Sequence, residues 1–241
     1  EKFLRELAFI QDARIVASID PSDSNGVIMN IQWKDIFPFG GSANIGSINS
    51  FNAEINHNNV LGLGDKIQIN ALYDLDRRPL AATGFEYIKR NFLGSFLNLT
   101  IGIDKIKPTF NSGRREEYAR YIKGDLPLVS PYHSFTGGFE FGTYEANKTY
   151  NTRATYDHMY KYAYGIMDGW MGINIGAGLR VKDNLQTRLR KFISFRAVSK
   201  RFSEIPDTAI INYNIHYSDI DAVLVAFNIF KQEYYPTNFI Y

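Results

Sequence analysis

Four histidines, His57, His133, His158 and His216, are the side chains of this chain best suited to metal binding or proton transfer. A metal site on a helix pairs such residues with His or Glu four positions apart. None of the four has that partner, so each reads as a loop or surface histidine. A strained nucleophile elbow, G-x-S-x-G, is absent, and so is the G-x-x-x-x-G-K-[ST] loop that cradles phosphates. No cysteine is present, which excludes a thiolate nucleophile, a thiolate metal site and a disulfide framework. Two charged clusters stand out: Asp74, Asp76, Arg77 and Arg78, then Arg114, Arg115, Glu116 and Glu117. Both read as solvated loop tips; the sharper reading is contact with lipopolysaccharide or a protein partner. The expectation is therefore a protein that is not an enzyme and needs no cofactor.

Such side chains must be positioned by something, and composition narrows what. Of 241 residues, 45% are hydrophobic and 22% charged, which excludes a disordered chain. Aromatic residues reach 15%, as 16 Tyr and 18 Phe against 2 Trp. Tyr and Phe favour strands and form the girdles of membrane barrels at the two interfaces; a soluble all-β protein with an aromatic core has the same composition. Net charge is +2 with the signs interspersed, so nothing resembles a nucleic-acid footprint. No run of about 18 apolar residues exists, so no transmembrane helix is expected. The chain opens at Glu1 inside an amphipathic pattern and stops at Ile240-Tyr241 inside an extended one, which predicts a piece of a longer protein.

Phe3, Leu4 and Leu7 fall at helical spacing, which predicts the end of a helix over residues 1–8. Arg14 to Ile19 and Val27 to Lys34 alternate as strands about the turn signal Pro21-Ser22-Asp23-Ser24-Asn25-Gly26. Helix, strand, turn, strand reads as the tail of a small α+β unit, too short at roughly 37 residues to fold alone. Phe37-Pro38-Phe39-Gly40-Gly41 reads as a linker. From Ser42 onward the period is two: Lys66 to Tyr73, Phe96 to Asp104, Ser134 to Phe141, Met171 to Leu179, Leu189 to Ala197 and Val223 to Ile229. The face opposite the apolar one is rich in Asn, Gln, Ser, Thr and Gly rather than Lys and Glu. That suits a wet lumen, and predicted strands of about nine to eleven residues suit a tilted bilayer crossing. A membrane barrel is favoured over a soluble β-domain. Asn59-Val60-Leu61-Gly62-Leu63-Gly64 recurs as Asn91-Phe92-Leu93-Gly94-Ser95, a period that two strands and one loop would fill, with Gly supplying the positive φ of a tight turn.

Several of these segments resemble one family. Leu7-Ala8-Phe9-Ile10-Gln11-Asp12-Ala13-Arg14-Ile15 is similar to the valine-glutamine-aspartate-alanine-arginine stretch of a final POTRA domain. Lys34-Asp35-Ile36-Phe37-Pro38 is similar to that family's junction into its barrel. Asn59 to Asp65 resembles its asparagine-x-leucine-glycine-x-glycine turn, and Tyr87 to Gly94 the paired strand and turn that follow. Asp168-Gly169-Trp170-Met171-Gly172 and Arg201-Phe202-Ser203-Glu204-Ile205-Pro206 resemble its Bacteroidetes-like branch. The family is the BamA/TamA superfamily of outer-membrane assembly and secretion barrels, the bacterial surface antigen family. The resemblance implies the C-terminal part of a periplasmic POTRA domain over residues 1–37. It implies the N-terminal part of a Gram-negative outer-membrane β-barrel, a transmembrane antiparallel barrel of about sixteen strands, over residues 38–241. Nine or ten strand candidates are legible here. The family's arginine-glycine-aromatic lumen motif is absent.

The mechanism that follows uses an edge. A weak first strand leaves N–H and C=O groups that can template an incoming strand. The first barrel strand is expected to begin near Gly40-Gly41 and to include Ser42, Ala43, Asn44, Ile45, Gly46, Ser47, Ile48 and Asn49. It is poor in bulky residues, and Gly weakens a strand interior. Residues Ser42 to Ile48 are the candidate lateral gate that binds a client; the alternative reading is that glycine there relieves crowding near the start of the barrel. Expected partners are unfolded outer-membrane or secreted clients, membrane lipid and lipopolysaccharide, and periplasmic or lipoprotein accessory subunits. The rivals are a two-partner-type protein secretion pore, the barrel anchor of a surface lipase or a barrel lipase itself, and a passive porin.

Overall fold

A computed structural model describes all residues except 1, 6, 8, 24, 111, 129–132, 151–160, 176–187, 207–216 and 233–241. His158, His216, Ile240 and Tyr241 lie outside the described residues, as does the second half of the predicted Met171–Leu179 strand.

The chain begins with a short helix, α1 (Lys2–Arg5), and an antiparallel hairpin of β1 (Ile10–Ile19) and β2 (Val27–Asp35). The turn between them forms as its residues dictate. The Asp20 carboxylate accepts from the Ser22 backbone N–H at 2.8 Å and the Ser22 hydroxyl at 2.6 Å. These bonds hold the Asp20 carboxyl below its usual range. Helix, strand, turn, strand is the order read from the sequence, but α1 and one hairpin are the whole of this unit among the described residues.

Everything after it is one ten-stranded sheet in which each strand pairs with its sequence neighbours. Its members are β3 (Phe39–Ser47), β4 (Ser50–Val60), β5 (Asp65–Asp74), β6 (Ala81–Phe92), β7 (Leu97–Pro108), β8 (Arg115–Leu126), β9 (Phe135–Ala146), β10 (Tyr162–Ile175), β11 (Arg188–Glu204) and β12 (Ile220–Gln232). All pairings are antiparallel. The expected mostly β, antiparallel class is therefore present. Among the described residues the sheet is open: β3 and β12 are its two edges and do not pair with each other.

Two boundaries and the length of the later strands differ from expectation. Phe39 to Gly41 belong to β3, not to a linker, because they pair in register with His57, Asn56 and Ile55. Ile48 and Asn49 form the turn between β3 and β4 rather than part of the strand. Strands β3, β4 and β5 have the expected nine to eleven residues, whereas β6 onward run longer, up to 17 in β11. The internal repeat is real in space. Leu61–Gly64 and Leu93–Phe96 are equivalent four-residue turns, with Leu61 and Leu93 both at φ 53° and Gly62 and Gly94 at φ 75° and 72°. In each, the leading asparagine closes the turn: Asn59 Oδ1 accepts from Gly64 N at 2.8 Å, and Asn91 Oδ1 from Phe96 N at 3.0 Å.

Candidate functional site

Directly opposed residues of an antiparallel pair project to the same face, so the register defines two sets of rows across the sheet. One row runs Ile101, Ile122, Phe141, Met167, Ser199; the next runs Leu99, Gly124, Phe139, Gly169, Ala197, Val223. The other face carries Gly102, Tyr121, Gly142, Ile166, Lys200, then Thr100, Lys123, Glu140, Asp168. The apolar rows are exposed and the polar rows are covered. Ile69 and Phe141 stand 49% and 47% exposed, whereas Tyr121 and Tyr144 retain 7% and 6%. An exposed apolar face and a more covered polar face invert the usual arrangement of a soluble sheet.

The covered face is satisfied by its own contacts. Tyr121 donates to Glu86 at 2.7 Å, Tyr144 to Glu140 and Tyr162 to Glu117. Lys123 pairs with Glu140 at 3.2 Å, and Arg196 with Asp168 through its Nε at 2.9 Å. Toward the 108–115 loop, Phe110, Tyr164 and Phe202 surround the Lys200 ammonium at 4.9, 4.1 and 4.6 Å from their ring centres.

Within this frame β3 is the candidate site. Asn44 and Ser42 project to the polar face opposite Asn52 and Glu54; Ala43 and Ile45 project to the apolar face opposite Ala53 and Phe51. Gly46 sits in the register shift between Ile45 and Ser47, and Ile48 is fully exposed at the turn. On its far side β3 has no strand partner among the described residues, so alternate residues present N–H and C=O groups outward. Two of its glycines have a packing reason. A Cβ at Gly40 would lie 2.7 Å from Asn56 Oδ1, and one at Gly41 3.0 Å from the Glu54 carbonyl. Gly46 has no such neighbour, its nearest contact being Ser50 Oγ at 3.9 Å.

The structure joins this edge to a feature that sequence treated separately. A cavity of about 510 Å³ on the polar side is lined by Asn44, Gly46, Asn52, Arg114, Arg115 and Tyr150, among others. Burial raises the Tyr150 phenol, and the Asp74 carboxylate adds to the shift. The charged clusters are solvated tips only in part: Asp76, Arg78, Arg114 and Arg115 are exposed as expected, whereas Asp74, Arg77, Glu116 and Glu117 are buried. Arg77 is 4% exposed and donates to the carbonyls of Pro79 at 3.0 Å and Lys105 at 3.2 Å. Glu116 is buried and accepts the backbone N–H groups of Thr149 and Tyr150 at 3.0 and 3.1 Å. These residues tie the loops at one end of the sheet to one another.

The other end holds a lock that joins the Asn59–Asp65 and Tyr87–Gly94 segments. The buried Asp65 carboxylate accepts from Tyr87 Oη at 2.7 Å, Lys89 Nζ at 3.0 Å and Arg90 N at 3.3 Å. Arg90 in turn donates to the carbonyls of Gly64 at 2.9 Å and Asn58 at 3.3 Å. Asn58 N bonds to Pro38 O at 2.8 Å, and the Phe9 ring lies beside Gly64, so the lock borders the junction with the N-terminal hairpin. The remaining histidines do not converge: His57 packs edge-on against Phe39 at 4.3 Å, and His133 stands beside Phe96 at 5.4 Å. Among the described residues no three His, Asp or Glu side chains gather at metal-binding distance, and no helix is long and apolar enough to cross a membrane.

No protein-family model matches this chain, and neither does any curated protein.

Proposed function

We propose that β3–β12 are strands of a bacterial outer-membrane β-barrel that assembles or inserts β-rich client proteins, and that residues 2–35 belong to a periplasmic POTRA domain before it. The observation that carries the reading is the inverted polarity of an all-neighbour antiparallel meander. A bilayer is the solvent that accepts an exposed Ile, Phe and Val face on a sheet, and hydrogen-bonded strands satisfy the backbone within it. The long strands suit a tilted crossing. In this reading the Leu61–Gly64 and Leu93–Phe96 turns face the periplasm, and the β3–β4 turn faces the cell surface.

The seam is β3. Its unpaired backbone templates an incoming client strand, its apolar residues Ala43 and Ile45 continue the lipid-facing surface, and Ser42 and Asn44 continue the polar one. The energy for insertion comes from client folding, so no cofactor enters. The test is a photo-crosslinking amino acid at Ala43, Asn44 or Ile45 in the intact protein in cells. Outer-membrane clients are expected in adducts from these positions and not from Thr100 or Tyr121 in the sheet interior. Equal yields from edge and interior would sink the seam.

A further inference from the structure

On the apolar face, two cavities of about 660 and 430 Å³ adjoin at Phe141, Met167 and Ser199. Together they form a trench, because the row between bulky neighbours is small. Gly165, Gly169 and Ala197 follow Met167 and Phe141 on that face, and a Cβ at Gly169 would meet nothing within 4 Å. The walls are Ile101, Ile103, Ile122 and Phe141 on one side and Val223 on the other.

The trench ends at a cation. Arg120 lies on the apolar face in the row Ile103, Arg120, Thr143, Gly165, Arg201. An arginine facing lipid is expensive unless something anionic meets it. Arg201 is already held by Asp219 at 3.4 Å and by Asp221. Arg120 has no carboxylate: its guanidinium lies 4.5 Å from the centre of the Tyr118 ring. Lys105 approaches the same ring at 5.5 Å, and neither cation forms an ion pair among the described residues. Glu145, opposite Tyr118 in the next row, is engaged by Asn147 Nδ2 at 2.6 Å.

We infer that this trench is a binding site for a phosphate-bearing lipid. An acyl chain lies over Gly165, Gly169 and Ala197, and the phosphate meets Arg120 and Lys105 beside Tyr118. The inference rests on the membrane-barrel reading and adds to it a defined lipid position. Guanidinium and ammonium groups recognise phosphate by charge-assisted hydrogen bonds, whereas a zwitterionic headgroup offsets them with its own cation.

The experiment uses the full chain purified in a neutral detergent, with bound lipid counted by native mass spectrometry. Phosphatidylglycerol and phosphatidylcholine of the same chains are the probes, with inorganic phosphate as competitor. Phosphatidylglycerol adducts are expected to dominate, with the preference falling about tenfold in a Lys105→Ala, Arg120→Ala double variant. Gly169→Leu, which fills the trench, is expected to remove adducts of both lipids while leaving the fold intact by circular dichroism. An unchanged preference in the double variant overturns the site, as does displacement by millimolar inorganic phosphate, which would mean that no chain is bound. Insertion of the wild type into phosphatidylcholine vesicles is measured in parallel. A protein that inserts but shows no preference loses only this site; one that never inserts loses the barrel reading as well.

Discussion

Large rings laid over glycines are the main packing device between neighbouring strands. Tyr121 covers Gly102, Phe139 covers Gly124 and Trp170 covers Gly138, each directly opposite its partner. A Cβ at Gly102 would stand 2.3 Å from Tyr121 Cζ, so the ring must leave. It would then lose its bond to Glu86 and its place under the Lys107 ammonium, 4.2 Å away. Gly102→Ala is expected to destabilise the protein by about 1–3 kcal/mol, the usual range for overpacking. Gly169→Ala, which enters open space, is expected to stay within about 0.5 kcal/mol. Urea unfolding of the two variants in one detergent measures the contrast, and equal losses would refute it. Asp65 yields a second test at this scale. Asp65→Ala leaves Tyr87 and Lys89 without their acceptor, and a loss of about 1–3 kcal/mol is expected from the stranded donors. If the lock also fixes the junction, protease cleavage near Pro38 will rise in the same variant.

Elements were legible where alternation was clean and obscure where it was not. Val27 to Lys34 and Lys66 to Tyr73 alternate without interruption and became β2 and β5 almost to the residue. Strand β8 is obscure in the sequence because it carries Arg120 on its apolar face and Tyr121 on its polar one, which blurs a two-residue period. Phe39-Gly40-Gly41 reads as a linker running into a strand that starts near Gly40; β3 starts at Phe39, where Asn56 opposite Gly40 leaves no room for a side chain. Composition also misjudged Glu116 and Arg77: adjacent charges look solvated, and only the fold brings the Thr149 and Tyr150 amides and the Lys105 carbonyl to them. The repeated turn, by contrast, was carried by local geometry. Positive φ at Leu61 and Leu93 is tolerated because each leading asparagine spans the turn. Asn59→Ala and Asn91→Ala should each cost about 1 kcal/mol, the net worth of one hydrogen bond. As each asparagine side chain closes its own turn and the Arg90 bonds to Gly64 and Asn58 remain in both variants, the double variant should equal the sum within about 0.5 kcal/mol. A strongly non-additive double variant would mean that the turns touch or move together.

For the whole molecule, inverted polarity sets up two opposed expectations for one substitution. Phe141 is central in β9, faces outward beside Ile122 and Met167, and contributes to no polar network. If water bathes that face, Phe141→Arg replaces an exposed ring by an exposed charge and changes stability by no more than about 0.5 kcal/mol. If lipid bathes it, the same arginine sits near mid-depth of the hydrocarbon and costs about 2–4 kcal/mol. Glu140, one residue away, points to the opposite face and accepts Lys123 and Tyr144. Glu140→Gln keeps an acceptor there and is expected to lose about 1 kcal/mol with or without a bilayer, because its partners lie within the protein. Unfolding free energies of both variants in phosphatidylcholine vesicles therefore separate the two solvents without reference to any client. A large loss for Phe141→Arg beside a small one for Glu140→Gln places the apolar face against lipid. The reverse order would assign that face to water and remove the premise on which the β3 seam and the Arg120 lipid site both stand.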